Sequence, residues 1–160
     1  RGELHPCPIH GDPKLANILF SRDTGRAVSL IDLDTVKPGL LHYDLGDCLR
    51  SCCNPAGEEA PLTEVSFNLA YCSAILRGYL PQVAPFFSVA DYHYIYDAVR
   101  LIAFELGLRF FSDHLAGDIY FKVKRPGQNL QRAMIQFALC QSIEAQENEI
   151  RNIVRDCQRP

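Results

Sequence analysis

At 160 residues, 48% of them apolar, the chain is long enough to bury one core and too short to argue for two domains. The net charge of -3, with 16 Lys and Arg scattered among 19 Asp and Glu, offers no basic field for a nucleic-acid backbone. No apolar stretch approaches the length of a membrane span, so neither nucleic acid nor membrane is expected as a partner.

In chain order, Pro8-Ile9 makes a short apolar approach to a polar loop, HGDPKLAN, at residues 10–17. Ile18-Leu19-Phe20, a turn at 21–26 and an apolar run at 27–31 then predict a β-hairpin, with Gly25 supplying a positive φ. Beyond the hairpin the periodicity turns helical. Residues 63–80 carry Phe67, Ala70, Tyr71, Ala74 and Tyr79 near helical spacing, and Pro81 is expected to end that helix. The run Ser88-Val89-Ala90-Asp91 outlines an N-terminal cap ahead of one long helix reaching Leu115, with Ile95, Tyr96, Val99, Ile102 and Ala103 inward and a bend at Gly107. Residues 117–128 contain a strand-like stretch at 119–123 and the turn Arg125-Pro126-Gly127. Asn129 is expected to cap a last helix running to about Asp156, with Ala133, Phe137, Cys140 and Ile143 inward and a charged, solvated end over 144–155.

The chemistry concentrates at two places, HGDPKLAN and SLIDLDT at residues 29–35. Phosphoryl transfer needs an acceptor hydroxyl relieved of its proton and metal ions held across the phosphates. Asp12 is a carboxylate on a loop that can present it to a hydroxyl. Asn17, five residues later, and Asp32, twenty residues after Asp12, offer an amide oxygen and a carboxylate. Magnesium prefers oxygen donors and takes only one or two from the protein, which suits that pair. The hairpin returns the second loop beside the first.

These residues resemble the catalytic segment of the kinase-like phosphotransferase superfamily that includes aminoglycoside and choline kinases, where His-x-Asp is followed by Asn at plus five. The HGD form favours the small-molecule branch over protein kinases. The resemblance implies that Asp12 is the catalytic base, that Asn17 and Asp32 hold Mg2+ across ATP, and that Lys14 offsets charge on the transferring phosphoryl group. Asp32 then stands for the aspartate of the kinase DFG element, with Leu33-Asp34 in place of Phe-Gly. The runs at 30–47, 108–124 and 129–133 are further similar to the N-acetylhexosamine 1-kinase branch, which phosphorylates the anomeric hydroxyl of N-acetylated amino sugars. In that branch an Arg and a Tyr corresponding to Arg109 and Tyr120 contact the sugar; a guanidinium fork and a phenol suit hydroxyls and an acetamide oxygen. Asp34 and Thr35 face the acceptor or a second metal, or else cap the following segment. Asp44 is read as a structural acceptor that holds the catalytic loop, and Asp47 as a helix-start residue. Gly11 departs from the Asn usual there in the sugar-kinase branch.

The fold implied is mainly α with a small β-hairpin, the helical C-terminal lobe of a kinase-like α+β fold forming one domain over 1–160. The chain opens at Arg1, nine residues before the catalytic loop, so the nucleotide-binding N-terminal lobe is expected on a longer chain and this piece alone to have little kinase activity. Use of ATP makes the cytoplasm the expected location. Seven cysteines without a Cys-x-x-Cys pair read as reduced thiols. Cys48, Cys52 and Cys53, with His42 or His5, leave zinc as the alternative.

Overall fold

The computed structural model describes residues 4–158; Arg1, from which the distance to the catalytic loop is counted, lies outside them. The chain is mostly helical with two small antiparallel sheets, the fold class expected for the helical lobe of a kinase-like fold. Strand β1 (Cys7–Ile9) pairs with β4 (Lys37–Gly39), and β2 (Ile18–Phe20) pairs with β3 (Ala27–Leu30). The second pair is the predicted hairpin, in register Ile18 to Leu30 with an irregularity between Leu19 and Phe20, and Gly25 in its turn has φ +64°. The first pair had no readable signal. Each strand is three residues with a proline, Pro8 opposite Pro38, and proline is tolerated only because a two-stranded ribbon consists of edges.

Six α-helices follow among the described residues: α1 (Leu41–Cys52), α2 (Leu69–Val83), α3 (Val89–His93), α4 (Ile95–Leu115), α5 (Gln128–Ala145) and α6 (Glu147–Gln158). Their buried positions recur at three- and four-residue steps. Leu45 and Leu49 come from α1, Cys72, Leu76 and Leu80 from α2, Ile95, Val99 and Ala103 from α4, Leu139 and Ile143 from α5, and Ile150 and Val154 from α6. All join one cluster. Helix α4 is its axis, packed against both α1 and α5.

Several expected boundaries move, each for a local reason. Helix α2 starts at Leu69, where Asn68 accepts from the Tyr71 amide; residues 62–64 form a separate 3-10 turn, and Pro81 lies inside the helix, close enough to its end that only the last turn feels the missing N–H. The Ser88–Asp91 capping box is present as predicted, but it opens the five-residue α3. Tyr94, at φ -88° and ψ 1°, separates α3 from α4. The predicted last helix is likewise divided at Gln146, whose side-chain amide donates to the Phe67 carbonyl at 3.0 Å and to Ser142. The division turns α6 back onto α2, so its charged sequence still buries Ile150 and Val154. Asn129 does not cap α5: Gly127, at φ +74°, precedes the helix and Asn129 lies fully buried in its first turn. Asp47 sits mid-helix in α1 rather than at its start, and residues 119–123 form no strand.

Helix α4 runs unbroken through Gly107, where the sequence predicted a bend. A Cβ there would meet the Phe137 ring at 2.6 and 2.8 Å, so the missing side chain lets α5 approach. Gly107→Ala is therefore expected to be destabilising: overpacking costs ~1–3 kcal/mol, against roughly 1 kcal/mol regained in helix propensity. Urea unfolding should report a lower midpoint with an unchanged slope.

Candidate active site

The loop at 10–17 is suspended from α1. Both oxygens of Asp44, in the first turn of that helix, accept backbone hydrogen bonds, from His10 N–H at 2.6 Å and Gly11 N–H at 2.8 Å. The expectation that Asp44 holds the loop is met. Gly11 has φ +87°, and a Cβ there would lie 2.8 Å from the Thr35 carbonyl oxygen, so the position demands glycine on both counts. Asp12 N–H donates to His10 Nδ1 at 3.2 Å. The ring's proton is thereby assigned to Nε2, which donates to the Ile31 carbonyl at 2.9 Å. Thr35 donates its hydroxyl to the His10 carbonyl at 2.7 Å. One buried imidazole and one hydroxyl thus tie the loop to the segment carrying Asp32.

That wiring brings the predicted residues together. Asn17 is buried, and its Nδ2 donates to the Asp12 carbonyl at 2.9 Å, lies 3.2 Å from Asp12 Oδ2 and reaches Asp32 Oδ2 at 3.5 Å. Ile31 N–H donates to the Asn17 carbonyl at 2.9 Å, extending the hairpin to the residue before Asp32. Asp32 itself is left-handed, φ 65° and ψ 56°, an uncommon geometry for a residue with a side chain. Backbone strain of this kind persists where surroundings over-determine it and concentrates at functional sites. Lys14 Nζ lies 2.5 Å from Asp12 Oδ2, and that hydrogen bond raises the Lys14 ammonium above its ordinary pKa. An amide and a carboxylate at one corner are the residue types from which a hard dication takes oxygen ligands, so Asn17 and Asp32 fit magnesium by type, with Asn17 here turning its Nδ2 group to the two carboxylates.

Asp12 and Lys14 open onto a cavity of about 1020 Å3 that Arg109, Tyr120 and Phe121 also line. The catalytic loop and the expected acceptor residues therefore share one cleft. Arg109 lies over both aromatic rings, 5.9 Å from the Tyr120 centroid and 5.5 Å from that of Phe121. Thr35 lines the same cavity; Asp34, on the 3-10 turn after Asp32, is exposed and stands outside its wall.

A model of the phosphotransferase enzyme family, APH, matches residues 1–85. The chain belongs to that family. The matched stretch contains the whole catalytic loop, the hairpin and α1, while Arg109 and Tyr120 lie beyond it.

Sequence reading of this phosphotransferase missed the groups that shape the cleft. Arg50, 4% exposed, lines it and bonds Asp47 at 2.8 Å and Glu58 at 3.0 Å; the two carboxylates more than offset its burial and raise its pKa. Glu59 accepts from Gln128 and Arg132, each at 2.7 Å, strapping the loop before α2 to α5. Asp113, 7% exposed, accepts the amides of Ile119 at 3.0 Å, Tyr120 at 2.8 Å and Phe121 at 2.9 Å, and Asn129 Nδ2 at 2.9 Å. The Tyr120 amide and then those of Phe121 and Ile119 hold the Asp113 carboxyl below the usual carboxylate range. A DHLAGD run seven residues before an aromatic pair could have signalled this, since the Gly117 turn, φ +94°, returns the chain over the carboxylate.

The cysteines are all free. Among the described residues no group of three His, Cys, Asp or Glu side chains is gathered as a metal site, and His42, one of the two histidines of the zinc alternative, turns Nε2 to the Asp91 carbonyl at 2.8 Å. Cys48 hydrogen-bonds Cys52 one turn on, which lowers the Cys52 thiol to about 7.

Two outcomes follow. Asp44→Ala removes two hydrogen bonds to a charged acceptor, each of a kind that contributes about 1.5–3 kcal/mol, and faster hydrogen exchange should appear at the His10 and Gly11 amides. For Asp113, a depressed folded-state pKa means that its stabilisation is present above the unfolded-state value near ~3.9 and is lost as pH falls through the folded value. The melting-temperature gap between wild type and Asp113→Asn should accordingly be full at neutral pH and close in acid below the ordinary carboxylate range.

Proposed function

We propose that residues 1–160 act as the C-terminal catalytic lobe of a kinase that uses ATP and Mg2+ to phosphorylate a small-molecule hydroxyl, specifically the anomeric hydroxyl of an N-acetylhexosamine. The observation that carries this reading is the shared cleft, which Asp12, Lys14, Arg109 and Tyr120 all line. Asp12 takes the proton of the acceptor hydroxyl as its oxygen attacks the γ-phosphoryl group. Lys14, already within 2.5 Å of that carboxylate, supplies positive charge beside the reacting oxygens. Asn17 and Asp32 would hold Mg2+, which when bound offsets negative charge across the phosphates. Arg109 and Tyr120 orient the sugar through directional donors, so that the hydroxyl next to Asp12 is presented for transfer.

The charge of the cleft favours a neutral acceptor over an aminoglycoside or an amino alcohol. Asp47 and Glu58, the carboxylates nearest Arg50, are already paired with it, and Arg109, Arg132 and Glu105 line the same cavity. A cationic acceptor would meet the Arg109 guanidinium there, Arg132 being paired with Glu59.

The test is ADP release by the full-length polypeptide with ATP and Mg2+, comparing N-acetylglucosamine, N-acetylgalactosamine, choline and an aminoglycoside. Amino-sugar turnover is expected, with Asp12→Asn lowering kcat by about 10²–10⁴ at unchanged acceptor KM, as loss of a general base requires. Arg109→Ala should instead raise acceptor KM. Turnover confined to choline or the aminoglycoside would overturn the sugar assignment, and absence of turnover on all four would overturn the kinase assignment.

A further inference from the structure

The aromatic side of the cleft is built on a loop with no regular secondary structure, yet the loop is closely held. Its three consecutive amides, at 119, 120 and 121, all end on the one carboxylate of Asp113, which belongs to α4. Asn129 closes the arrangement from α5: its Nδ2 donates to Asp113 Oδ2 and to Asp118 Oδ1, both at 2.9 Å. Asp118 takes the left-handed conformation at φ 60° that lets the chain double back. Tyr120, by contrast, is 73% exposed and has little core packing to fix it. Its backbone is fixed through Asp113, and its ring is then set against Arg109 and, at 4.8 Å between centroids, against Phe121. Phe121 in turn packs on Phe110 at 4.5 Å.

We propose that Asp113 is the positioning residue of the acceptor site, acting through the backbone of residues 119–121 to hold Tyr120 and the Arg109 stack in their binding geometry. This rests on the kinase reading above. An exposed aromatic on an untethered loop would have to be ordered each time an acceptor binds, and that ordering cost would appear in acceptor affinity. Asp113 removes the cost beforehand. Because it touches none of the residues that handle the proton or the metal, its loss should be confined to acceptor binding. Asn fits the volume of Asp but brings an N–H2 group against amide donors, so Asp113→Asn breaks part of the amide clasp with little change in packing.

The experiment is steady-state kinetics of the full-length polypeptide carrying Asp113→Asn, Arg109→Ala or both, on whichever of the four acceptors above the wild type turns over. Asp113→Asn is expected to raise acceptor KM about tenfold while kcat at saturating acceptor and ATP KM stay within about twofold. In the double variant the KM effects should be less than multiplicative, because both changes disable one binding surface. Asp118→Gly, which keeps the left-handed turn and removes one tie to Asn129, should raise acceptor KM in the same direction by a smaller factor, and it serves where Asp113→Asn does not fold. A variant that loses melting temperature with kcat and both KM values falling or rising together, or whose effects multiply with Arg109→Ala, would make the clasp merely structural and overturn the inference. Wild type silent on every acceptor overturns the kinase reading first and the inference with it, so the two failures are distinguishable.

Discussion

The site depends on one carboxylate. Asp44 is on the first turn of α1, and α1 is anchored in the core by Leu45 and Leu49, so the two oxygens that accept the His10 and Gly11 amides are themselves immobilised by burial. A loop cannot bury enough apolar surface to fix its own backbone. Here the rigidity is borrowed from a helix through two short charge-assisted hydrogen bonds. Everything downstream assumes that the loop stays in place: the His10 ring can reach Ile31 only from there, and Thr35 can reach His10 only while Gly11 leaves room for its backbone.

Both signs of charge then meet in the cleft. Asp12, tempered by Lys14, lines it, and Asn17 and Asp32 add an amide and a second carboxylate beside Asp12. Arg50, Arg109 and Arg132 line the cleft too, beside carboxylates that are partly taken up in structural pairs: Asp47 and Glu58 on Arg50, Glu59 on Arg132, with Glu105 also in the lining. A buried ion pair is weak evidence for stability, because desolvation cancels much of the attraction. Its consequence here is local. It keeps Arg50 charged and oriented at the cleft wall, and it draws the loop after α1 toward the helix, narrowing the space where an acceptor would sit.

How legible this was follows from the range of each signal. Asp12, Asn17 and Asp32 could be read because their spacing spans a hairpin whose turn is declared by Gly25, and a hairpin fixes what its ends bring together. Helical periodicity located the buried faces of α4 and α5 well, but in α2 it picked Ala70, Tyr71 and Ala74, which are exposed, while Cys72, Leu76 and Leu80 are the buried face; periodicity carries phase and no direction. A run that keeps phase across Tyr94 or Gln146 reads as one helix, although the axis turns there. Asn129 illustrates the same limit. As a residue type it signals a cap, and only the tertiary position of Asp113, sixteen residues away in sequence, makes it a buried donor instead. The pairing of β1 with β4 was unreadable because two three-residue strands with opposed prolines have no alternation to detect. Arg50, Glu58 and Glu59 look like solvated charges until helix packing brings them together.

The two loops that frame the cleft are held by the same device, a helix-borne carboxylate accepting consecutive backbone amides: Asp44 for residues 10–11, Asp113 for residues 119–121. They differ in what surrounds them. The Asp44 clasp lies inside the stretch that matches the phosphotransferase family, and the Asp113 clasp lies outside it. Such a division fits the chemistry of transfer. Proton removal and phosphate neutralisation make the same demands whatever the acceptor, so the groups that meet them need one fixed geometry. On the proposed reading acceptor recognition varies, and a loop hung from a single carboxylate can change its exposed side chains without disturbing either the core or the loop at 10–17. The α1–α4–α5 packing is then the rigid frame, with Gly46 approaching the Ala98 backbone and Gly107 the Phe137 ring, that sets the distance between an invariant demand and a variable one.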